Sequence, residues 1–281
     1  LKVQNKLRVQ IFEKAALCRH FEINAFNYSK NKTIKIPIYL SAGQEFISAT
    51  LATLIKIKKI RPMIFAQHRC HSTYLSFGGN IQNLINELLG NYKLSISKGK
   101  AGSASIYSKK IKMYGHDGHM GTQVPIGVGA CFTSKYPTIV FMGDASAEED
   151  YVLGALGWAS TKKLPILFVV EDNNLSILTK KKVRRNWNMH DVAKSFKMRG
   201  YDLKDSPKEI FKFQRYFFKE PMLLNINTNR LFWHAGAGKD SDKIFDRYLN
   251  EKKYLGETGE KIDQKYKKEI DKLWLKQLEK L

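Results

Sequence analysis

The stretch TIVFMGDASAEEDYVLGALGWASTKKLPILFVVEDNN, residues 138–174, decides how the chain is read. Its two ends, TIVFMGD and LPILFVVED, are short, apolar and rich in β-formers, and each runs out into acidic or amide residues. Between them Val152, Ala155, Leu156 and Ala159 fall on one helical stripe, with acids in the first turn and lysines in the last, as the helix dipole favours. This order predicts a βαβ unit with two parallel strands and a right-handed crossover. Parallel strands end on one edge, so Asp144 and Asn173, 29 positions apart, are expected to meet where open α/β sheets bind ligands. One carboxylate and one amide oxygen suit a hard cation such as Mg²⁺, which keeps few protein ligands and takes the rest from phosphate and water. Gly143 allows close backbone approach, and the amides of the following helix start, around Ala145 and Ser146, can receive phosphate oxygens. The plainer alternative is a helix cap at Asp144 and a turn at Asn173–Asn174. The joint fit of strands, helix and spacing favours the metal–diphosphate site.

Outward from this unit, residues 3–26 and SAGQEFISATLATLIKI read as helices, and RPMIFAQHRC as a short strand entering a polar loop. NIQNLINELLG is a helix with Ile81, Leu84, Ile85 and Leu88 at helical spacing and Gly90 as its stop. Residues 95–121 lack periodicity, which in a compact domain is more often a functional loop than filler. QVPIGVGACFTSK is a small-residue helix suited to close packing on a sheet. Helices near 190–198 and 207–219 precede the strand PMLLNINT, a Gly-rich loop and a charged helical tail from about 243. Alternating strands and helices predict an α/β fold, a parallel sheet with helices on both faces.

With 43% hydrophobic and 12% aromatic residues, the 281-residue chain has the composition of a globular protein. No apolar run approaches the ~18 residues needed to cross a bilayer. The first residue is Leu1, consistent with a fragment or an unusual start codon, and the charged amphipathic start does not read as a secretion signal. Cys18, Cys70 and Cys131 are odd in number and far apart with no CxxC, which argues against a disulfide framework or zinc cluster and for the cytoplasm. The formal charge of +22 is scattered along the chain, and no basic helix interleaved with aromatics stands out. That argues against nucleic acid as a partner, while attraction to phosphorylated ligands or to an acidic partner subunit stays open. His116 and His119 form an HxxH on a loop, with no third ligand nearby to favour zinc. Arg184 and Arg185 read as a solvated basic loop.

These residues resemble the thiamine-diphosphate motif Gly-Asp-Gly followed about thirty residues later by Asn, and specifically the α subunit of the 2-oxoacid dehydrogenase E1 component. Gly143, Asp144 and Asn173 match, and Ala145 replaces the third glycine. Gly43, Gln44 and Glu45 are similar to the family's Gly-Gln-Glu helix start, and Arg69 and His71 to its Tyr-Arg-x-His segment, with His68 where tyrosine is usual. GKAGSASIY is similar to Gly-Lys-Gly-Gly-Ser-Met-His. Gly118, Gly121, Gln123, Pro125 and Gly129 match a further motif, and Thr228, Arg230 and His234 resemble the loop that closes over the site. Ala235 stands where some relatives carry a phosphorylated serine. The resemblance runs from about residue 8 to 242, giving an E1 alpha-like domain at 1–242 and a charged helical tail at 243–281.

The resemblance implies Mg²⁺ held by Asp144, Asn173 and the Leu175 carbonyl, and thiamine diphosphate held through Arg69, His68, Gly143, Ala145, Ser146 and backbone near Gly118 and Met120. His234 would act beside the cofactor. It further implies decarboxylation of a 2-oxo acid, transfer to a lipoyl arm or another acceptor, and a β-type partner supplying the glutamate for the aminopyrimidine, most simply in a heterotetramer. Glu45 is not assigned that role. A split transketolase-like subunit and an inactive scaffold of the same fold are the competing readings.

Overall fold

The computed structural model describes residues 2–239 and 244–281. The first half holds α1 (Lys2–Lys30), α2 (Glu45–Ile57), β1 (Met63–Phe65), α3 (His71–Ser76), α4 (Ile81–Leu89), β2 (Met113–Tyr114) and α5 (Gln123–Ser134). β3 (Thr138–Gly143), α6 (Asp150–Thr161) and β4 (Ile166–Asp172) form the central unit. A small hairpin of β5 (Leu175–Ser176) and β6 (Thr179–Lys180) follows, then α7 (Lys181–Arg184), α8 (Met189–Ser195), β7 (Arg199–Lys204), α9 (Pro207–Phe211) and β8 (Met222–Asn227). The chain closes with α10 (Arg247–Leu255) and α11 (Glu257–Leu278).

Six strands make one parallel sheet in the order β2-β1-β3-β4-β8-β7. Side chains alternate along each strand, so the apolar runs of β3 and β4 feed two cores. Ile139 and Phe141 pack with residues of α1 to α4, whereas Val140 and Met142 pack with α5, α6 and α8. The α/β expectation with helices on both faces therefore holds. β3 and β4 are central, and their register pairs Gly143 with Glu171. Asp144 and Asp172 thus leave the sheet at the same level, on neighbouring strands.

Several local readings differ. α6 begins at Asp150, because Ser146–Glu148 form a 3₁₀ turn and Glu149 is extended (φ −66, ψ 140). The amides nearest Asp144 therefore belong to that turn rather than to the helix. The expected helix at 207–219 stops at Phe211: Gln214–Tyr216 form a separate 3₁₀ turn, and Phe218 takes φ 62, outside helical backbone. β7 is an edge strand in which only Gly200 and Leu203 are buried, so it lacks the apolar run that marks its neighbours. The long loop at 95–121 is ordered around one buried carboxylate. Glu87 accepts from the Ser97 hydroxyl (2.6 Å) and from the amides of Ser97, Ala101 and Gly102 (2.9, 3.1 and 3.1 Å).

The division expected at 242/243 lies outside the described residues, as do residues 240–242 of the Gly-rich loop. Beyond it, α11 lies along α1. Trp274 is fully buried there, 5.4 Å from the Phe21 ring and 5.2 Å from that of Tyr28. Arg19 of α1 forks onto Asp246 at 2.7 and 2.8 Å. Trp274→Ala should cost about 3–5 kcal/mol in urea unfolding. The indole Nε1 has no partner, so Trp274→Phe should cost less than about half of that. Equal losses for the two variants would contradict this packing account.

Candidate functional site

The site is built where β3 and β4 end. Asp144 is almost fully buried, and its carboxylate accepts from Arg184, whose other amino group donates to Glu148 at 2.5 Å. Burial first, and then the neighbouring Asp172, push the Asp144 carboxyl up to about 6, against the pull of Arg184 and Arg185. Arg184 and Arg185 are therefore not a solvated loop: they fold back over the strand ends, with Arg185 2% exposed in its side chain and 3.4 Å from Glu148. Two carboxylates in a dehydrated corner supply the reason. Asp172 is met the same way, by Lys181 and by Asn225 at 3.1 Å.

Asn173 turns the chain out of β4. Its Oδ1 accepts from the Leu175 amide (3.1 Å), its Nδ2 donates to Gln44 (3.0 Å), and Asn174 takes the left-handed φ of 65. The Gly43-Gln44-Glu45 triplet gains a physical reading here. A Cβ on Gly43 would lie 2.2 Å from the Asn229 carbonyl, so glycine lets the loop after β8 come close. Gln44 holds Asn173, and Glu45 accepts from the Gly43 amide (2.5 Å) while paired with Arg19. Burial raises the Glu45 carboxyl to about 7.

Two arginines tie the loops together. Arg69 donates to the Leu40 carbonyl (2.7 Å) and the His234 carbonyl (3.2 Å), and Arg230 donates to the Ile177 carbonyl (3.0 Å). The ring of Tyr39 sits 5.0 Å from His68 and 5.7 Å from His234, and those two imidazoles are 5.4 Å apart. Burial first, then Arg69, His234, His116 and Arg230, drive His68 down to about 2, so its imidazole is neutral at working pH. His71 stands behind this loop, bonded to Glu22 (3.2 Å) and Ser103 (2.8 Å). All three are almost wholly buried, which makes this Ser-His-Glu row a structural brace rather than a nucleophilic triad.

A cavity of about 230 Å³ opens among these groups. Its walls include the expected Asp144, Asn173 and Leu175, the turn Gly143, Ala145 and Ser146, and His68, Arg69, Met120 and His234. Gly118 is not on its wall; its amide donates to His116 Nδ1 at 3.0 Å. The Met120 carbonyl accepts from Tyr151. Among the described residues no group of three or more His, Cys, Asp or Glu could hold a metal, so any ion at Asp144 would need phosphate or water as well. Gln67, Ser176 and Ile177 line the cavity without having been singled out, and Arg230 joins the wall beside His234. Gln67 carried a legible signal: like Asp144, it is a polar residue directly after an apolar strand.

A family model for the dehydrogenase E1 component matches residues 13–202. The chain belongs to the dehydrogenase E1 component family. It is 30% identical over 238 residues to the mitochondrial pyruvate dehydrogenase E1 component subunit alpha-1 of Arabidopsis thaliana, covering 81% of this chain and 60% of that one. With the pyruvate dehydrogenase E1 component subunit alpha of Rickettsia prowazekii it shares 30% over 243 residues, covering 81% and 72%. The E1-family chain spans 58% to 60% of the Arabidopsis and rice subunits it matches. Among solved structures, a transketolase from Leishmania mexicana aligns over 97% of this chain and 47% of its own, with TM-score 0.59 and 12% identity. A transketolase from Pichia stipitis gives TM-score 0.58 at 16% identity, over 97% and 45%. At such identities these show the shared fold alone.

Glu171, paired across the sheet with the cavity-lining Gly143, is almost fully buried and accepts from Gln67. Burial raises its carboxyl to about 7, against the pull of Gln67 and Arg69. The folded state then binds this proton more tightly than the unfolded chain. Its contribution to stability is full below the unfolded value of 4.5 and is lost as pH rises through about 7. Glu171→Gln should therefore raise the melting temperature relative to wild type more at pH 8 than at pH 5. Parallel pH profiles for the two proteins would contradict it.

Proposed function

We propose that the chain is the α-type subunit of a thiamine-diphosphate-dependent enzyme that decarboxylates a 2-oxo acid and passes the acyl or aldehyde unit to an acceptor, in the dehydrogenase manner a lipoyl arm. The observation that carries this is the gathering of Asp144, Asn173 and Leu175 with Arg69, His68 and His234 around one cavity at the carboxyl edge of the sheet. Membership of the E1 family supports the same chemistry.

The donor set fits such a cofactor. Asp144 is a buried carboxylate that already draws a cation, and His68 on the cavity wall has an Nε2 with no partner. Asp144, the Asn173 side-chain oxygen and the Leu175 carbonyl would hold Mg²⁺. Arg69 and the amides at Ala145 and Ser146 would hold the diphosphate. When bound, thiamine diphosphate supplies a carbanion that attacks a ketone and stabilises the charge left after CO₂ departs. This chain's own residues neutralise, orient and exclude water. Arg69 and Arg230 give the cavity a positive wall suited to a diphosphate or a carboxylate substrate. Neutral His68 can accept or donate a hydrogen bond without adding charge. His234, on a loop pinned by the Gly236 amide to the Ile38 carbonyl (2.9 Å), would hold a proton beside the substrate.

At about 230 Å³ the cavity is smaller than the ~300–1,000 Å³ typical of sites that enclose a drug-sized ligand. That fits half of a site, with a β-type subunit closing it and supplying the glutamate for the aminopyrimidine. Calorimetric titration with thiamine diphosphate and Mg²⁺, with and without a candidate β partner, tests the reading. Binding should require Mg²⁺, tighten with the partner and weaken at least about a hundredfold in Asp144→Ala. Absence of binding even with the partner would leave a scaffold of the same fold, and turnover of ketose phosphates would favour the transketolase-like reading.

A further inference from the structure

All strands of the main sheet are parallel, so their amino ends share the edge opposite the cavity. The segments feeding four of them read KIKKIRP (56–62), SKKIK (108–112), KYP (135–137) and TKKLP (161–165), together ten Lys and Arg without one Asp or Glu. None of the ten enters an ion pair among the described residues, whereas Lys252, Lys261 and Lys267 of the tail helices each meet an acid. Helix dipoles explain a lysine at the ends of α2, α5 and α6. They do not explain Arg61 or the 108–112 stretch, which cap no helix.

The backbone adds a second observation. Lys59, Lys112, Lys135 and Lys163 take φ of 56, 53, 55 and 48, the left-handed region that glycine occupies with least strain. Lys32, Lys98 and Lys197 take the same conformation elsewhere, so it accompanies the lysines of this face without being particular to it. A third is a groove of about 450 Å³ with Lys59, Arg61 and Lys110 on its rim, half-buried Ile60, Phe77 and Ile111 along its floor, and no carboxylate on its wall.

We propose that this face docks an acidic segment of a partner protein that also carries aliphatic side chains. Its carboxylates would meet Lys59, Arg61 and Lys110, and an aliphatic side chain would rest on Ile60, Phe77 and Ile111. The apolar floor separates this occupant from nucleic acid, whose phosphates need no aliphatic contact. Docking here leaves the cavity at the other edge accessible, and it does not depend on the activity proposed above.

The test uses the full chain and a short fluorescein-labelled peptide of alternating Glu and Leu, read by anisotropy at low salt. Comparators are an all-Glu peptide of equal length, a single-stranded DNA oligomer, and phosphatidylserine–phosphatidylcholine vesicles. The Glu–Leu peptide should bind more tightly than all three. Its affinity should fall at least about tenfold in Lys59→Glu/Arg61→Glu/Lys110→Glu, but less than about twofold in Lys261→Glu/Lys267→Glu/Lys272→Glu, which changes net charge equally on α11. The Gln version of the groove triple, with an unchanged circular dichroism spectrum and melting temperature, should also weaken binding. Equal weakening in both Glu triples would assign the effect to net charge and overturn the proposal. So would tighter binding of DNA or vesicles lost in the groove variant, or no peptide binding at all.

Discussion

Two dehydrated carboxylates on adjacent parallel strands create a local excess of negative charge that something positive must meet. The β3–β4 register fixes the problem by bringing Asp144 and Asp172 out of the sheet side by side. In this chain Arg184 and Lys181, both delivered by the segment after β4, answer it. A divalent cation with a diphosphate would answer it as well, and at the same atoms of Asp144. Much of the surrounding architecture follows from serving that corner. Gln44 holds Asn173, Gly43 admits the loop after β8, and Arg69 joins that loop to the segment before α2.

The parts of this arrangement legible in the sequence are those that depend on short-range pattern. The apolar runs of β3 and β4, the helix between them and the polar residue after each run indicate both the sheet and the edge at which a ligand is proposed. Gln67 obeys the same rule after β1 and could have been read the same way. What could not be read depended on chain segments returning from a distance. Nothing local to KKVRR says that Arg184 folds onto Asp144, with Lys181 and Arg185 also turned inward, while Lys182 and Val183 face solvent. That choice is set by two acids 40 and 36 positions earlier. The edge strand β7 and the two-residue β2 were missed because each has one partner strand to satisfy, so neither needs a continuous apolar run.

Charge is used in two ways on this molecule. Along α1, α10 and α11 several basic and acidic side chains are paired, as in the fork of Arg19 on Asp246, and serve packing. At the amino edge of the sheet the basic side chains gather on strand-entry loops and meet no acid among the described residues, though Lys112, Lys135 and Lys162 lie over aromatic rings. The net charge of +22 is thus not evenly spread in function, even though the lysines look scattered along the sequence. The fold converts four short, separated runs into one face, which no window along the chain displays.

The central claim is that the corner between β3 and β4 holds a divalent metal together with a diphosphate. It is tested most directly by crystals grown with Mn²⁺ and thiamine diphosphate, using the anomalous signal of manganese. The account predicts one strong peak bonded to the Asp144 carboxylate, the Asn173 side-chain oxygen and the Leu175 carbonyl, with Arg184 swung away from Asp144. A peak elsewhere, or Arg184 still seated on Asp144 with the diphosphate bound, would contradict it.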